Sequence, residues 1–336
     1  MKFGAVPVDQ AIGTILAHGI PAASLSKGTV LEGGHIASLH QLGLKDVTVA
    51  QLEDGDIDED TAAKTLAGAL VPDPDHQGLR LTKATTGRVN IFAKRAGLLE
   101  LDVARINTLN RIDPMITLAT LPDLSRVVAG TMLATIKIIS YAVTPHALTQ
   151  ACDVIRADGV AEGGGALNIR TAQLKTATLI ETHHPGGKIA PKGRRVLDER
   201  LDRLGATLVD TLDVPHDVQA IGKAIEKAQG QVVFILTASA TSDINDVAPV
   251  AVTQIGGEII QFGMPVDPGN LLFLGHWHGK PVIGLPGCAR SPALNGADWV
   301  LERLICGLPV GADDISAMGV GGLLKDIPER GRARGA

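Results

Sequence analysis

Aromatic residues are scarce: two Trp, one Tyr and five Phe make up 2 % of the 336 residues. Single-stranded nucleic acid is bound on stacking platforms, which so few rings cannot supply. A surplus of basic charge is missing too, because 31 Lys and Arg face 36 Asp and Glu for a formal charge of −5. The electrostatic footprint of a duplex-binding protein is therefore absent, and nucleic acid is not an expected partner. The three cysteines, Cys152, Cys288 and Cys306, are odd in number and show no CxxC spacing. This argues against a disulfide framework or a structural zinc site, and for a reducing compartment. No stretch approaches the roughly 20 apolar residues of a membrane span, and the opening MKFGAVPVDQAIG has no apolar run of the signal-peptide kind. The expectation is a cytosolic chain with no membrane partner.

What is present fits folded domains. Hydrophobic residues make up 45 % and charged residues 20 %, which is ordinary globular usage with ample Leu, Ile, Val and Ala for a core. A chain of 336 residues exceeds what one core usually organises, which predicts two or three domains. From 7 to 49 the chain is glycine-punctuated and weakly periodic, so short strands or turns are expected in preference to long helices. The acidic run EDGDIDED at 53–60 alternates Asp54, Asp56 and Asp58 like a calcium loop. Glu59, however, stands where that loop needs glycine, and Thr65 where it needs glutamate. Acids at the start of a helix over TAAKTLAGAL explain the run, since the macrodipole favours them there. Pro72 and Pro74 in VPDPDHQG read as a linker.

Residues 79–167 form a second expected unit, with a helix in ARINTLNRID and a buried strand in the β-branched run TMLATIKIISYAV. Lys137 inside that run reads as an edge residue whose amine reaches solvent. The glycines at 163–165 lack the strand, helix and acidic partner of a dinucleotide fingerprint and read as a loop.

From Leu174 strands and helices alternate. Strands are expected at 178–181, 206–209, 232–236, 258–262, 271–274 and 281–284. Helices are expected at 194–204, around Val218, Ile221 and Ile225, from about Val247, and up to Cys306. Such order predicts an α/β domain whose largely parallel sheet is covered on both faces. Its ligand would sit where strand carboxyl ends open into loops. Three loops of this kind are rich in small or hydroxylated residues: ETHHPGGK at 181–188, TASATSDINDVAP at 237–249 and GLPGCARSP at 284–292. Small residues let a ligand approach the backbone, while hydroxyl, amide and free N–H groups suit a phosphate at a helix start. Asp243 and Asp246 either orient a metal-bound phosphate or cap the following helix. These features give an anion-binding domain without specifying the anion.

The same loops resemble those of the molybdenum-cofactor biosynthesis proteins of the MoeA, MogA and MoaB kind. In TASATSDINDVAP, Thr237, Asp246 and Pro249 fall on the threonine, aspartate and proline of that family's TGG-T-G-xxx-RD-xxP loop. MPVDPGNLLFLG is similar to its PGKP segment through Pro268 and Gly269, and GKPVIGLPGCARS to its GLPGNP loop through Leu285, Pro286 and Gly287. AIGTILAHGI and KGTVLEGGHIASLHQLGLKDVTV look like the MoeA opening, so the resemblance touches most of the chain. Departures are equally plain. Ala238 and Ser239 replace two glycines, Asn270 replaces the lysine of PGKP, and Cys288, Ala289 and Arg290 replace Asn-Pro and the residue after it. ETHHPG stands in place of a first loop with TGDE-like acids. As a bidentate donor, Arg290 could partly restore the phosphate-binding cation lost with that lysine.

The resemblance implies a three-layer, mostly parallel α/β sheet of the MogA/MoaB kind over 171–310. It also implies a MoeA-like N-terminal segment over 1–75, a small α+β domain over 76–170 and a Gly/Arg-rich tail over 311–336. The implied ligand is molybdopterin or the molybdenum cofactor, with Mg2+ and a nucleotide as accessory candidates. Its implied contacts are Thr182, Pro185, Gly186, Thr237, Ser239, Thr241, Ser242, Asp243, Pro268, Gly269, Asn270, Pro286, Gly287, Cys288 and Arg290. Asp246 is the implied catalytic and metal-orienting carboxylate. The implied activity is cofactor biosynthesis, by modifying molybdopterin or inserting molybdate. The alternative is a non-catalytic carrier that delivers the cofactor to a molybdoenzyme. A homodimer is the expected assembly. Cys288, ahead of a helix, is either a reactive thiol or a small buried residue. His276 and His278 flank Trp277 at a hairpin tip without a visible third metal ligand. His183 and His184 either contact an anion or lie on the surface. MGVGGLLKDIP could form a glycine-rich nest, and GRARGA reads as disordered.

Overall fold

The computed structural model describes residues 1–156, 165–187 and 189–324. Gly163 and Gly164 of the expected glycine loop, Lys188 of ETHHPGGK and the tail from 325 onward lie outside the described residues. The chain forms two compact units, one of 1–95 and 99–169, the other of 96–98 with everything from Arg170 onward.

The first unit contains two apolar cores. In one, Val8, Leu16, Leu31, Leu39 and Val49 pack together, over a sheet in which Asp46–Gln51 pairs antiparallel with Lys2–Pro7 and Ile15–Leu16. This stretch, expected to hold short strands and turns, also contains the helix Gly33–Gln41. Only Ile36 and Leu39 of that helix are buried, too few for a helical period to show in the sequence. Its start is set locally, where the Glu32 N–H donates to His35 Nδ1 at 3.1 Å.

The other core gathers Leu66, Leu70, Leu79, Ile91 and Ile136. Its helix Glu59–Leu70 is capped by Asp58, whose Oδ1 accepts the amides of Asp60 and Thr61. Glu59 and Asp60 occupy the first turn, where the dipole favours them. In the accompanying sheet Met132–Ile138 lies between Arg88–Ala93 and Ile116–Thr120. Lys137 is therefore not on an edge strand. Its amine donates to the Thr86 carbonyl and lies 3.6 Å from Glu59 Oε2. Nor do Pro72 and Pro74 mark a linker: Val71, Gln77 and Leu79 are buried. The Gln77 amide donates to the carbonyls of Leu70 and Leu167 at 3.2 and 3.0 Å, so the prolines bend the chain within a single core.

The second unit is built on a six-stranded sheet in the order Thr207–Pro215, Thr176–His183, Val232–Leu236, Lys280–Gly284, Phe273–Trp277, Glu258–Phe262. The pairings among the first four strands are parallel, as the alternation of strand and helix predicts, and the remaining two are antiparallel. The turn chemistry explains the change. Trp277 and Lys280 are joined by His278 and Gly279 alone, at φ 48° and 76°. A two-residue turn with both positions left-handed joins antiparallel neighbours, whereas a parallel pair needs a long crossover.

The central strand Val232–Leu236 is apolar throughout because it serves two cores. Val232, Phe234 and Leu236 pack with Leu197, Leu201, Val300 and Leu301, from the helices Lys192–Asp202 and Gly296–Ile305. Val233 and Ile235 pack with Ile221, Ile225, Ala251 and Val252, from Val218–Lys227 and Val247–Gln254. Side-chain alternation along the strand thus assigns one helix pair to each face. The strand expected at 206–209 continues to Pro215. It is the edge strand, and Asp210 and Asp213 interrupt the apolar signal there. Among the described residues no helix is long and apolar enough to cross a membrane.

Candidate functional site

The carboxyl ends of Thr176–His183 and Val232–Leu236, with the turn that follows Lys280–Gly284, surround a crevice of about 280 Å³. Glu181, Thr182, His184, Ala238 and Arg290 line it from the strand ends, and Ile189 and Ala190 from the approach to the next helix. Parallel α/β sheets offer their ligands this location, because the connections diverge there and leave backbone groups exposed.

On one side the polar groups form a connected row. The buried Thr182 hydroxyl accepts the Ala238 N–H at 2.7 Å and pairs with His216 Nδ1 at 2.9 Å. His216 Nε2 lies 3.2 Å from Ser239 Oγ, and the His184 ring meets the His216 ring edge-on at 5.3 Å. Burial, followed by the neighbouring His184, pulls the His216 imidazole below its ordinary pKa, while Asp246 and Asp217 pull the other way. The loop after the central strand folds around its own hydroxyls. Thr237 Oγ1 donates to the Ser239 carbonyl at 2.6 Å and lies 3.3 Å from Thr241 Oγ1. Arg290 Nη2 donates to the Thr237 carbonyl at 2.8 Å, which ties the third loop to the second.

On the other side stands Glu181, only 3 % exposed. Burial raises its carboxyl pKa and Asp213 adds to the rise, while Arg290 and Arg194 oppose it. Burial in turn lowers the Arg290 guanidinium, with Glu181 opposing. The two groups have no ion pair with one another among the described residues.

Of the residues expected from the sequence, Thr182 and Arg290 line the crevice, and Thr237, Ser239 and Thr241 shape the loop beside it. Pro185 and Gly186 form a turn closed by the Gly187 N–H on the His184 carbonyl at 2.8 Å, with Gly186 at φ 74°. Pro286 leads the short 3-10 turn Gly287–Arg290 that contains Cys288. Asp246 caps the helix Val247–Gln254: Oδ1 accepts the Val247 N–H at 2.7 Å and Oδ2 the Ser242 N–H at 3.3 Å. Asp243 Oδ1 accepts the backbone and side-chain amides of Asn245 at 2.7 and 2.9 Å. Among the described residues no three His, Cys, Asp or Glu side chains are grouped to hold a metal ion.

Pro268, Gly269 and Asn270 are not among the residues that line the crevice, and the first two brace the start of helix Gly296–Ile305. The Pro268 carbonyl accepts the Gly296 N–H at 2.8 Å, and a Cβ on Gly269 would sit 2.7 Å from the same nitrogen. Asn270 Nδ2 points to the Met264 carbonyl at 3.4 Å. Sequence reasoning passed over His216 and assigned no role to Glu181. Both carried a signal. Glu181 is a carboxylate inside the otherwise uncharged strand TATLIETH, and His216 precedes Asp217, which caps the next helix, at another strand carboxyl end.

A family model described as a domain of unknown function, DUF8806, matches residues 5–51. No curated protein matches the chain by sequence. Among solved structures, a molybdopterin biosynthesis MoeA protein from Pyrococcus horikosii is similar at 15 % identity and a TM-score of 0.31, over 91 % of this chain and 75 % of that one. A molybdenum cofactor biosynthesis protein from Pyrococcus furiosus is similar at 12 % identity and a TM-score of 0.25, over 92 % of this chain and 66 % of that one. A CinA protein of unknown function from Thermoplasma acidophilum is similar at 17 % identity and a TM-score of 0.25, over 35 % of this chain and 90 % of that one.

Proposed function

We propose that the crevice of the second unit binds molybdopterin or its molybdenum form, and that the chain acts in the biosynthesis of that cofactor. The observation that carries this reading is the convergence of a buried carboxylate, Glu181, and a half-buried guanidinium, Arg290, on one crevice at the carboxyl ends of parallel strands. A ligand with a polar ring at one end and a phosphate at the other matches such a bipolar site. Arg290 spends one N–H on the Thr237 carbonyl and keeps the rest of its donor fork for phosphate oxygens. The order of the loops TASATSDINDVAP, MPVDPGN and GLPGCARS along the chain supports the assignment, and under it the covered sheet is a MogA/MoaB-like binding domain. Asp246 would then orient Mg2+ or molybdate beside a nucleotide-activated cofactor, in a chain that pairs with a second copy. The carrier reading also has an observation in its favour. Asn270 stands where the resemblance places a lysine, and its amide turns to the Met264 carbonyl instead of offering a charge.

Titration of the purified protein with molybdopterin tests the proposal, with saturable micromolar binding expected and no binding at high micromolar concentration overturning it. Turnover of the bound cofactor with ATP or molybdate assigns the enzyme, and binding without turnover assigns the carrier.

A further inference from the structure

Glu181 is the most unusual side chain of the crevice. Strand alternation places it on the same face as Ala177 and Leu179, beneath the helix Lys192–Asp202. A Cβ added to Gly193, the second residue of that helix, would sit 3.3 Å from Glu181 Oε1, 3.5 Å from Arg290 Cγ and only 2.5 Å from Leu236 Cδ2. The absence of a side chain at Gly193 thus leaves room for the carboxylate at the crevice wall. Glu181 is 3 % exposed, yet among the described residues its carboxylate has no hydrogen bond and no ion pair. No side chain caps the overlying helix start, so Glu181 does not serve as its cap.

Buried polar groups are nearly always hydrogen-bonded, and a buried carboxylate without donors is costly. Neither carboxylate oxygen of Glu181 is sealed from the crevice, so a ligand that enters has to replace the donors that water gives them. A phosphate is wrong for this end, because two anions would face each other. A metal ion is wrong too, since no third donor group is clustered there among the described residues. Two parallel N–H groups on a flat ring edge suit a carboxylate best, because both oxygens accept at once and in one plane.

We infer that Glu181 is a specificity-determining residue that accepts the paired N–H donors of a 2-amino-4-oxopyrimidine edge, the edge shared by pterins and guanine. The inference rests on the proposed cofactor reading for its choice of pterin, and it adds the residue that selects the ring. Burial raises the Glu181 carboxyl pKa in the empty site, and paired donors work against that rise on binding. At about 280 Å³ the crevice has room for such a ring system and for a phosphate beyond it.

Fluorescence titration with pterin and with lumazine, which has a carbonyl in place of the 2-amino donor, isolates this contact. The wild-type chain should prefer pterin by about tenfold to a hundredfold, the worth of a hydrogen bond to a charged group. Glu181→Gln should bring the preference close to unity, while Glu181→Asp keeps part of it. Thermal melts of both variants show that they fold. Equal binding of the two rings, no binding of either at millimolar concentration, or an unchanged preference in a folded Glu181→Gln variant overturns the inference. Guanosine and inosine monophosphates form the second arm: a larger guanosine preference supports the edge contact and assigns guanine as its source. Molybdopterin binding that is indifferent to Glu181→Gln removes Glu181 and leaves the proposed function standing. Pterin discrimination without molybdopterin binding does the reverse.

Discussion

Arg200 and Asp298 form a buried ion pair that fastens helix Lys192–Asp202 to helix Gly296–Ile305. The remaining donors of Arg200 reach the carbonyls of Ala289 at 2.7 Å and Ser291 at 2.8 Å, on both sides of Arg290. Asp298 Oδ2 accepts the Asn295 N–H at 2.8 Å. The guanidinium of Arg290 is therefore positioned by a second arginine that lies outside the crevice.

Removing either partner strands the other in the interior. Arg200→Met or Asp298→Asn should each cost about 3–5 kcal/mol, the usual penalty for breaking a buried pair. Urea unfolding of the single and double variants checks this. The double variant should lose less than the sum of the two singles, and a loss under about 1 kcal/mol for Arg200→Met would contradict the assigned role.

Asp246 separates into two roles on substitution. Asparagine caps a helix about as well as aspartate, so Asp246→Asn should melt close to wild type, whereas Asp246→Ala should lose about 1 kcal/mol. Under the proposed function the Asn variant also loses cofactor turnover or metal-dependent binding. Full activity in Asp246→Asn would leave only the cap.

His216 makes stability depend on pH. Because burial and His184 lower its pKa, the unfolded chain takes up a proton at a pH where the folded chain does not. Stability must then fall as pH drops through the ordinary histidine value of about 6.5 toward the lower folded one. His216→Gln should flatten the stability loss between pH 7 and pH 5, read by urea unfolding at both. Identical slopes for the two proteins would rule out a depressed His216.

Gly284 has no room for a side chain. A Cβ there would lie 2.0 Å from Cε1 of Phe273, which is fully buried. Overpacking of this kind costs about 1–3 kcal/mol, and the strain would fall on the strand that leads into the Arg290 turn. Gly284→Ala should show both a lower melting temperature and weaker ligand binding, and an unchanged melt would mean that Phe273 can turn aside.

The sequence was most legible where one period dominated. The strands Val232–Leu236 and Glu258–Phe262 were located residue for residue, the first as an uninterrupted apolar run and the second as a short β-branched segment set off by the glycines at 256, 257 and 263. The helix Gly33–Gln41 escaped, since its core contact is carried by two side chains and its remaining positions are small or polar. The antiparallel edge was legible only at the hairpin tip around Trp277, since element order alone does not give direction, which His278 and Gly279 decide through their backbone angles. At the site, loop composition pointed to Thr182 and Arg290. It gave no hint of the Thr182–His216–Ser239 row, whose members are far apart in the chain and meet only through strand register.

The small core of Val8, Leu16, Leu31, Leu39 and Val49 falls wholly inside residues 5–51, the span of the family match. A genetic crossover at either border of that span leaves each of these residues with its partners, whereas one between Leu31 and Leu39 gives two products that each expose half a core. A break inside the span therefore parts apolar side chains from the partners that keep them from water, which a break at its borders does not do to this core.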